Sequence, residues 1–536
     1  MAHQRPRMSR RTALCLFGQG AAGTLALTGV PTLADSPGRT SRVGRRPQVP
    51  SGLQIGDLQP GRALVWARSD RPGRMLVRWS TRESMADAVQ APPVHVLADG
   101  DFTGRIDLVD LPADQRVFVE VTFLDLDDYR TLSEPVRGTF LTPPASRRDL
   151  RFVWSGDTAG QGWGINPDFG GMCIYGTMRG CRPDFFIHSG DTVYADGPIE
   201  ASVALEDGSI WRNLTTPETS KVAETLDEFR GRYRYNLMDE PLRRFNAEVP
   251  VLAQWDDHEV TNNWYWELRR DDDARYRENS VAVLAARAMR AFREYQPVRR
   301  HPIDPERIYQ RFSYGPLLDV FRIDLRSYRG PNSDEQPTEL SPEFRILGQR
   351  QLDWLKRALK SSTATWKVIA SDMPLGLVIP DDWETGRGAE GIALRDGAPA
   401  GRELEIARLL TFIRDEDIRN LVWLTADVHY TAAHYYDPAR ARYKKFAPFH
   451  EFVSGPLNAG TFGPNRLDDT FGPQLIYRKA PTDGRSNLPP SEGMQFFGQV
   501  DIDGETAEMT VRLKDLEGTT LHTQRIPPET APDGSS

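Results

Sequence analysis

Apolar and polar side chains alternate in short runs from about residue 49 to 143, as in RALVWARS, RMLVRWST, VHVLA, FTGRIDLVDL, RVFVEVTFLD and VRGTFLTPP. Turn-forming clusters such as RPGR and ADGD separate them. Alternation with period two marks strands that bury one face, and the regular turn spacing predicts a small antiparallel β-sandwich over 49–145. Nothing in this stretch carries a catalytic pattern, so its expected role is structural or docking.

At Arg148 the pattern changes to strands alternating with helices. LRFVWSG (150–156), DFFIHSG (184–190), PVLAQW (250–255), LLDVFRIDLRSY (317–328), WKVIAS (366–371) and NLVWLTA (420–426) read as strands. Helical periodicity falls near 168–180, 221–244, 278–296, 348–359 and 402–414, which gives an α/β core. MQFFGQVDID and AEMTVRLKDLEG predict a hairpin that completes a second sheet. The core domain is expected to span 148–525, with a disordered tail over 526–536.

The N-terminal residues read differently. Paired Arg10 and Arg11, an apolar run rich in Gly and Ala, and the small-x-small end Thr32-Leu33-Ala34 predict a twin-arginine export signal over 1–34, read by the twin-arginine machinery. Residues 35–48 are polar and basic without periodicity, a linker. The chain carries 67 basic and 75 acidic residues, and loss of 1–34 removes four arginines and no acid, leaving a net charge of −12. That balance argues against stable nucleic-acid binding through charge. No internal stretch approaches the length of a membrane anchor. Cys173 and Cys181 would lie about 12 Å apart along one helix, too far to bridge, so two buried free thiols are expected.

Chemistry concentrates where core strands end. FVWSGD ends at Asp157, FFIHSGD at Asp191, VLAQWDDH at Asp257 and His258, VIASD at Asp372, and LVWLTADVH at Asp427 and His429. Carboxyl ends of neighbouring strands line one crevice of an α/β sheet, so distant residues are delivered to one place. Several carboxylates there cannot all ionise without cations between them. The oxygen-rich donor set favours hard cations such as calcium or iron over a histidine-dominated zinc site. Each piece alone also fits a turn or a helix start; the repeated placement favours a shared site.

The blocks GDT (156–158), SGDTVYADGP (189–198), WDDHEVTNN (255–263), IDLRSYRG (323–330) and LTADVH (424–429) resemble those of the PhoD-like alkaline phosphatase and phosphodiesterase family, within the calcineurin-like metallophosphoesterases. The resemblance runs over about 148–515, and the preceding sandwich is similar to that family's fibronectin III-like N-terminal domain. It implies a two-sheet αββα core and a site holding ferric iron and calcium. Carried across, Asp191 is the bridging ligand, Tyr194 a phenolate ligand to iron, Asp157 the first ligand and His429 the last iron ligand. Asp257 and Asp427 serve the second metal, with Asn263 a weaker candidate. His258 faces the leaving group, as a proton or hydrogen-bond donor. The best-known family form has cysteine where this chain has Asp157, which bears on the metal's identity.

Asp256 and Glu259 are expected to orient these ligands. His188 is expected to be buried beside the sheet. Arg326 and Tyr328 either contact phosphate or fix a loop. Asp372 stands at a strand end where the superfamily often has histidine, and His434 and His450 rank below the main set. The irregular segment RLDDTFGPQLIYRKAPTDGRSNLPPSEG is long enough for a rim or lid.

The expected activity is metal-assisted hydrolysis of phosphomonoesters or phosphodiesters outside the cytoplasm, two metals about 4 Å apart activating a hydroxide. No nucleophile-elbow motif supplies a serine. The alternatives are a phosphodiesterase for teichoic acid or phospholipid headgroups and, from another class, a non-catalytic calcium-binding structural protein.

Overall fold

The computed structural model describes residues 46–529. The expected export signal, nearly all of the linker, and the tail beyond 529 lie outside the described residues.

Parallel strands Leu150–Ser155, Phe185–His188 and Val251–Ala253 occupy the middle of a nine-stranded sheet. Ser155, His188 and Ala253 stand level in register, so all three chains leave the sheet side by side. In a seven-stranded sheet, parallel strands Leu318–Arg322, Trp366–Ala370, Leu421–Thr425 and Phe449–Val453 adjoin, with Ala370 opposite Leu424.

Alternation explains how the layers stack. Phe152, Trp154, Phe185, Ile187 and Leu252 from the first sheet share one buried cluster with Val320, Val368, Val422, Leu424 and Phe452 from the second. Their neighbours Val153, Phe186, Val251 and Ala253 point the other way, against helices Ile174–Gly180, Leu226–Asn236, Glu240–Glu248 and Val281–Tyr295. On the far side Phe321, Ile369, Trp423 and Val453 meet helices Gln349–Lys360 and Glu403–Asp415. Both core sheets are buried on two faces, which is why their strands read as near-continuous apolar runs.

Polar ties cross between the sheets where the strands end. The Gln254 amide donates to the carbonyls of Ile323 (3.1 Å) and Ala370 (3.0 Å), and the Trp154 indole to that of Thr425 (3.2 Å). These bonds satisfy buried groups and hold one set of strand ends over the other.

The N-terminal segment forms two sheets, as its alternation predicts, and one of them runs on into the core. Strands Leu53–Gln59, Arg62–Arg68 and Thr103–Leu108 extend the nine-stranded core sheet, through parallel pairing of Gly56 with Val251. Gly73–Ser80, Arg116–Asp125 and Val136–Leu141 belong to a five-stranded sheet of their own. A side chain at position 56 would run into Pro297 and the Val251 carbonyl, so glycine permits the junction. Periodicity reports that a face is buried, not which strand the edge will meet.

Two further differences follow from the same limit. The hairpin Phe496–Ile502 and Met509–Asp515 joins the first sheet, Val500 opposite Phe152, rather than the second. A third strand, Thr520–Ile526, continues it to the start of the expected tail. The stretch read as a helix over 168–180 is a short 3-10 turn, Pro167–Phe169, and the helix Ile174–Gly180. Cys173 and Cys181 flank that helix as free thiols, half-buried rather than buried. No helix among the described residues is long and apolar enough to cross a membrane.

Gly498 lies under the Trp154 ring, and a Cβ there would overlap it. Gly498→Ala is expected to lower the unfolding free energy by about 1–3 kcal/mol. Gly176→Ala, on a helix with nothing within 4 Å of the added methyl, is expected to stabilise by about 0.5–1 kcal/mol. Urea unfolding of the two variants checks both.

Candidate metal centre

The chain turns abruptly as it leaves each strand. Asp157, Asp191, Asp427 and His429 have φ of 65°, 52°, 65° and 58°, in the left-handed region. Asp and His tolerate that region better than most residues, and strain of this kind gathers at functional sites. The Asp157 amide donates to the Gly190 carbonyl (3.2 Å) and the Thr158 amide to that of Asp191 (2.9 Å), locking two turns together. Gly190, at φ 105°, lies so close to Asp256 that a Cβ would meet its side chain.

Three donor groups result, each with its ligand atoms within 4.8 Å of one another: Asp157, Asp191 and His429; Asp191, Asp257 and His258; Asp256, Asp257 and Asp427. Asp191 belongs to two and so does Asp257, so the groups form one continuous row. Tyr194 joins the first, its hydroxyl 3.0 Å from His429 Nε2. Gly160 makes room for the Tyr194 ring, which a side chain there would overlap.

The row fits a cation. Both carboxylate oxygens of Asp157 are buried with no hydrogen-bond partner in the protein, an expensive state for an anion unless positive charge meets it. Burial and mutual repulsion push the carboxyls of Asp157, Asp191 and Asp427 well above the usual range, so their charged forms are disfavoured unless positive charge meets them. Burial pushes His429 down to about 4. Its Nδ1 bonds the Gly460 carbonyl at 2.5 Å, which leaves a neutral imidazole with Nε2 turned to Tyr194 and Asp157.

His258 is built differently. Its Nδ1 lies 2.8 and 2.9 Å from the two carboxylate oxygens of Asp196, and its ring stacks on Tyr194 with centroids 4.3 Å apart. Burial alone would lower its pKa, but the charges of Asp196 and Asp257 outweigh that and raise it to about 10. Asp196 in turn is held at about 2, against burial, by His258 and by the Asn262 amide. Nδ1 is thereby committed to Asp196.

Arg326 answers the question its sequence left open. It is fully buried, with Nε 2.5 Å from Asp256, Nη2 3.4 Å from Asp427 and 3.8 Å from Asp257, Asp372 at 3.5 Å, and Nη1 on Glu390. It is a counter-ion that fixes carboxylates. Asp372 belongs to this ring and to none of the three donor groups. Asn263 lies beside them: its side-chain amide donates to the Asp381 carbonyl (3.0 Å), and its backbone amide to Asp257 (2.6 Å). Glu259 staples two turns, accepting from the Thr192 amide (2.6 Å) and the Asp256 amide (2.8 Å).

The remaining residues fall away from the row. His188 is buried against Thr158 (2.7 Å), and His434 faces Glu451 (3.3 Å) inside the second sheet. Tyr328 lines a different cavity. Part of the segment expected as a rim is the strand Pro473–Lys479, and its Asn487 bonds Trp163 (2.9 Å) and Gln161 (3.1 Å) in the loop that follows Asp157. Asp196 and Glu390 went unrecognised in the sequence. Asp196 stands five residues after Asp191, inside a motif already singled out, whereas Glu390 has no local signal; its role arises only where Arg326 and Arg329 meet it.

A family model described as PhoD-like phosphatase matches residues 152–513, and one described as its N-terminal domain matches 34–144. Alkaline phosphatase D of Bacillus subtilis (strain 168) is 30% identical over 320 residues, 56% of this chain. The match spans about half the length of that relative, 51%. Among solved structures, PhoD superposes with a TM-score of 0.65 at 18% identity, over 92% of this chain and 95% of that one. Purple acid phosphatase PPD1 from yellow lupin (Lupinus luteus) seeds does so with a TM-score of 0.54 at 12% identity, over 89% and 74%. At these identities the structures speak to fold alone.

The His258–Asp196 pair sets a pH dependence of stability in the metal-stripped chain. His258 is raised from 6.5 to about 10, so its contribution is full below about pH 6.5 and is lost as pH rises through about 10. Asp196 is lowered from 3.8 to about 2, so its contribution is lost as pH falls through about 2. The stability difference between wild type and Asp196→Asn is therefore expected to be largest between about pH 4 and 6.5 and to shrink steadily towards pH 10. Denaturant titrations across that range measure it.

Proposed function

The chain belongs to the PhoD-like phosphatase family, and from that premise we propose that it hydrolyses phosphoesters at the row of donors from Asp157 to Asp427. The observation that carries the reading is the sharing of Asp191 and Asp257 between neighbouring donor groups. Such sharing suits two adjacent cations rather than one.

Asp157, Asp191, Tyr194 and His429 would hold one ion, and Asp191, Asp257 and Asp427 the other. A phenol beside an imidazole suits iron and a purely carboxylate set suits calcium, the pair that the family resemblance implies. Bound there, the ions would supply charge neutralisation for the carboxylates and Lewis acidity towards a water and the phosphoryl oxygens.

The chain's own residues do the rest. His258, held by Asp196, presents Nε2 as hydrogen-bond or proton donor to the departing oxygen. Asp196 fixes its orientation and favours its charge, as Gly460 fixes the tautomer of His429. Glu259 and Arg326 keep the Asp191, Asp256 and Asp257 turns in place from behind. The substrate class is small phosphomonoesters and phosphodiesters. Export is supported by Arg10, Arg11 and the apolar run that follows them.

The test is hydrolysis of chromogenic mono- and diesters with and without chelator. Chelation is expected to abolish turnover and added metal to restore it; Asp191→Asn is expected to lower kcat/KM roughly 10³-fold. His258→Ala is expected to cost about 10²–10⁴-fold on alkyl esters and less on nitrophenyl esters, whose leaving groups need no proton. Undiminished turnover by a folded Asp191→Asn chain would remove this site from the reaction.

A further inference from the structure

A second cavity, of about 930 Å³, lies behind the loop that carries Asp257 and His258. Its lining includes Trp266 from that loop, Ser327 and Tyr328 just after Arg326, and Arg105 from the N-terminal segment. The Trp266 indole donates to the Ser327 carbonyl (2.8 Å), so this wall is continuous with the segments behind the donor row.

Charge in the cavity is unbalanced. Arg293 is 2% exposed, and none of its three guanidinium nitrogens has a hydrogen-bond partner. A guanidinium cannot shed its proton to escape burial, and an unpaired one is costly. Of the carboxylates within electrostatic reach, Glu306 is exposed, Asp57 pairs with Arg322 at 3.0 Å, and Asp324 accepts the amides of Arg326 (3.0 Å) and Ser327 (2.9 Å) through Oδ1 while its Oδ2 has no partner; none of them hydrogen-bonds the Arg293 guanidinium. On the cavity wall, Glu294 pairs with Arg230 and Arg290, Asp99 with Arg290, and Asp304 with Arg350. That leaves Arg105, Arg293 and Arg300 facing exposed Glu306 as the lone acid without an ion pair among the described lining residues.

Arg105 contacts only backbone carbonyls, those of Gln296 (3.3 Å) and Val298 (3.5 Å). Burial and the neighbouring charges of Arg300 and Arg293 press Arg105 down to about 10, and burial and Arg322 do the same to Arg293. The cluster is held together against its own repulsion.

We propose that this cavity is a binding site for a phosphate-type oxyanion, with Arg293 as its buried anchor and Arg105 and Arg300 closing on the ligand. Planar guanidinium groups match the oxygens of such an anion in paired hydrogen bonds, and one dianion would neutralise what the cavity's own acid does not. The site is distinct from the donor row, and the inference does not depend on the phosphoesterase reading.

Isothermal titration of inorganic phosphate into the Asp191→Asn chain, at fixed ionic strength and with folding checked by circular dichroism, tests it. That background weakens binding at the donor row and leaves the cavity intact. A saturable site is expected, weakened at least roughly tenfold by Arg300→Gln. Arg293→Met is expected to abolish it, to raise the thermal midpoint in phosphate-free buffer by removing an unpaired buried charge, and to erase the midpoint gain on adding phosphate. Glycerol 3-phosphate in place of phosphate distinguishes recognition of any terminal phosphate group from recognition of the free ion. No binding by the Asp191→Asn chain, or unchanged affinity in Arg300→Gln, overturns the proposal. Arg300 is exposed, so its variant carries the test if Arg293→Met fails to fold.

Discussion

The cost of gathering carboxylates out of water governs this structure. Asp157, Asp191, Asp256, Asp257, Asp372, Asp427, Glu259 and Glu390 converge where two sheets end, and most are buried. Such a cluster can exist only with positive charge inside it. Arg326 supplies part of that charge, fully buried against five of these acids from four segments. His258 supplies another part through its pairing with Asp196. Neither reaches the two orphaned oxygens of Asp157, which is the physical case for cations at that end of the row.

The architecture is what makes the convergence possible. Level register at Ser155, His188 and Ala253 releases three chains at one height. The Gln254 and Trp154 cross-ties keep the second sheet's strand ends, and hence Asp427 and His429, above them. Each chain then turns through left-handed backbone to aim its side chain inward, a strained choice that the surrounding packing holds in place. The N-terminal strands add to this frame directly, since Leu53–Gln59 pairs with the very strand that leads into Asp256 and Asp257.

Two buried arginines make an instructive contrast. Arg326 is surrounded by acids and orders them; the Arg293 guanidinium has no hydrogen-bond partner. The same residue type under the same burial therefore has opposite needs, and the difference is set by neighbours distant in sequence. Asp57 pairs with Arg322, and Asp324 turns one oxygen to the amides of Arg326 and Ser327, so neither hydrogen-bonds Arg293.

Much of the site was legible in the chain itself. Apolar runs that stop at Gly-Asp, Asp-Asp-His or Asp-x-His announce strands that end in ionisable groups, and Asp157, Asp191, Asp257, Asp427 and His429 fall in three overlapping groups that could hold a cation. Alternation likewise disclosed the α/β core and the β-rich N-terminal segment. Strand partners were not legible, because period-two alternation says that a face is buried without saying against what; the hairpin after Met494 and the three N-terminal strands both joined a sheet the pattern could not name. Asp372 illustrates the same gap at the site, since its strand-end position placed it nearby while only packing showed its side chain turned to Arg326. The sequence by itself determined which chemical groups stand at the strand ends, because that is a property of local pattern. The tertiary structure alone decided which charges meet, because Coulomb and hydrogen-bond energies depend on distances between residues such as Asp196 and His258, or Glu390 and Arg326, that the order of the chain does not contain.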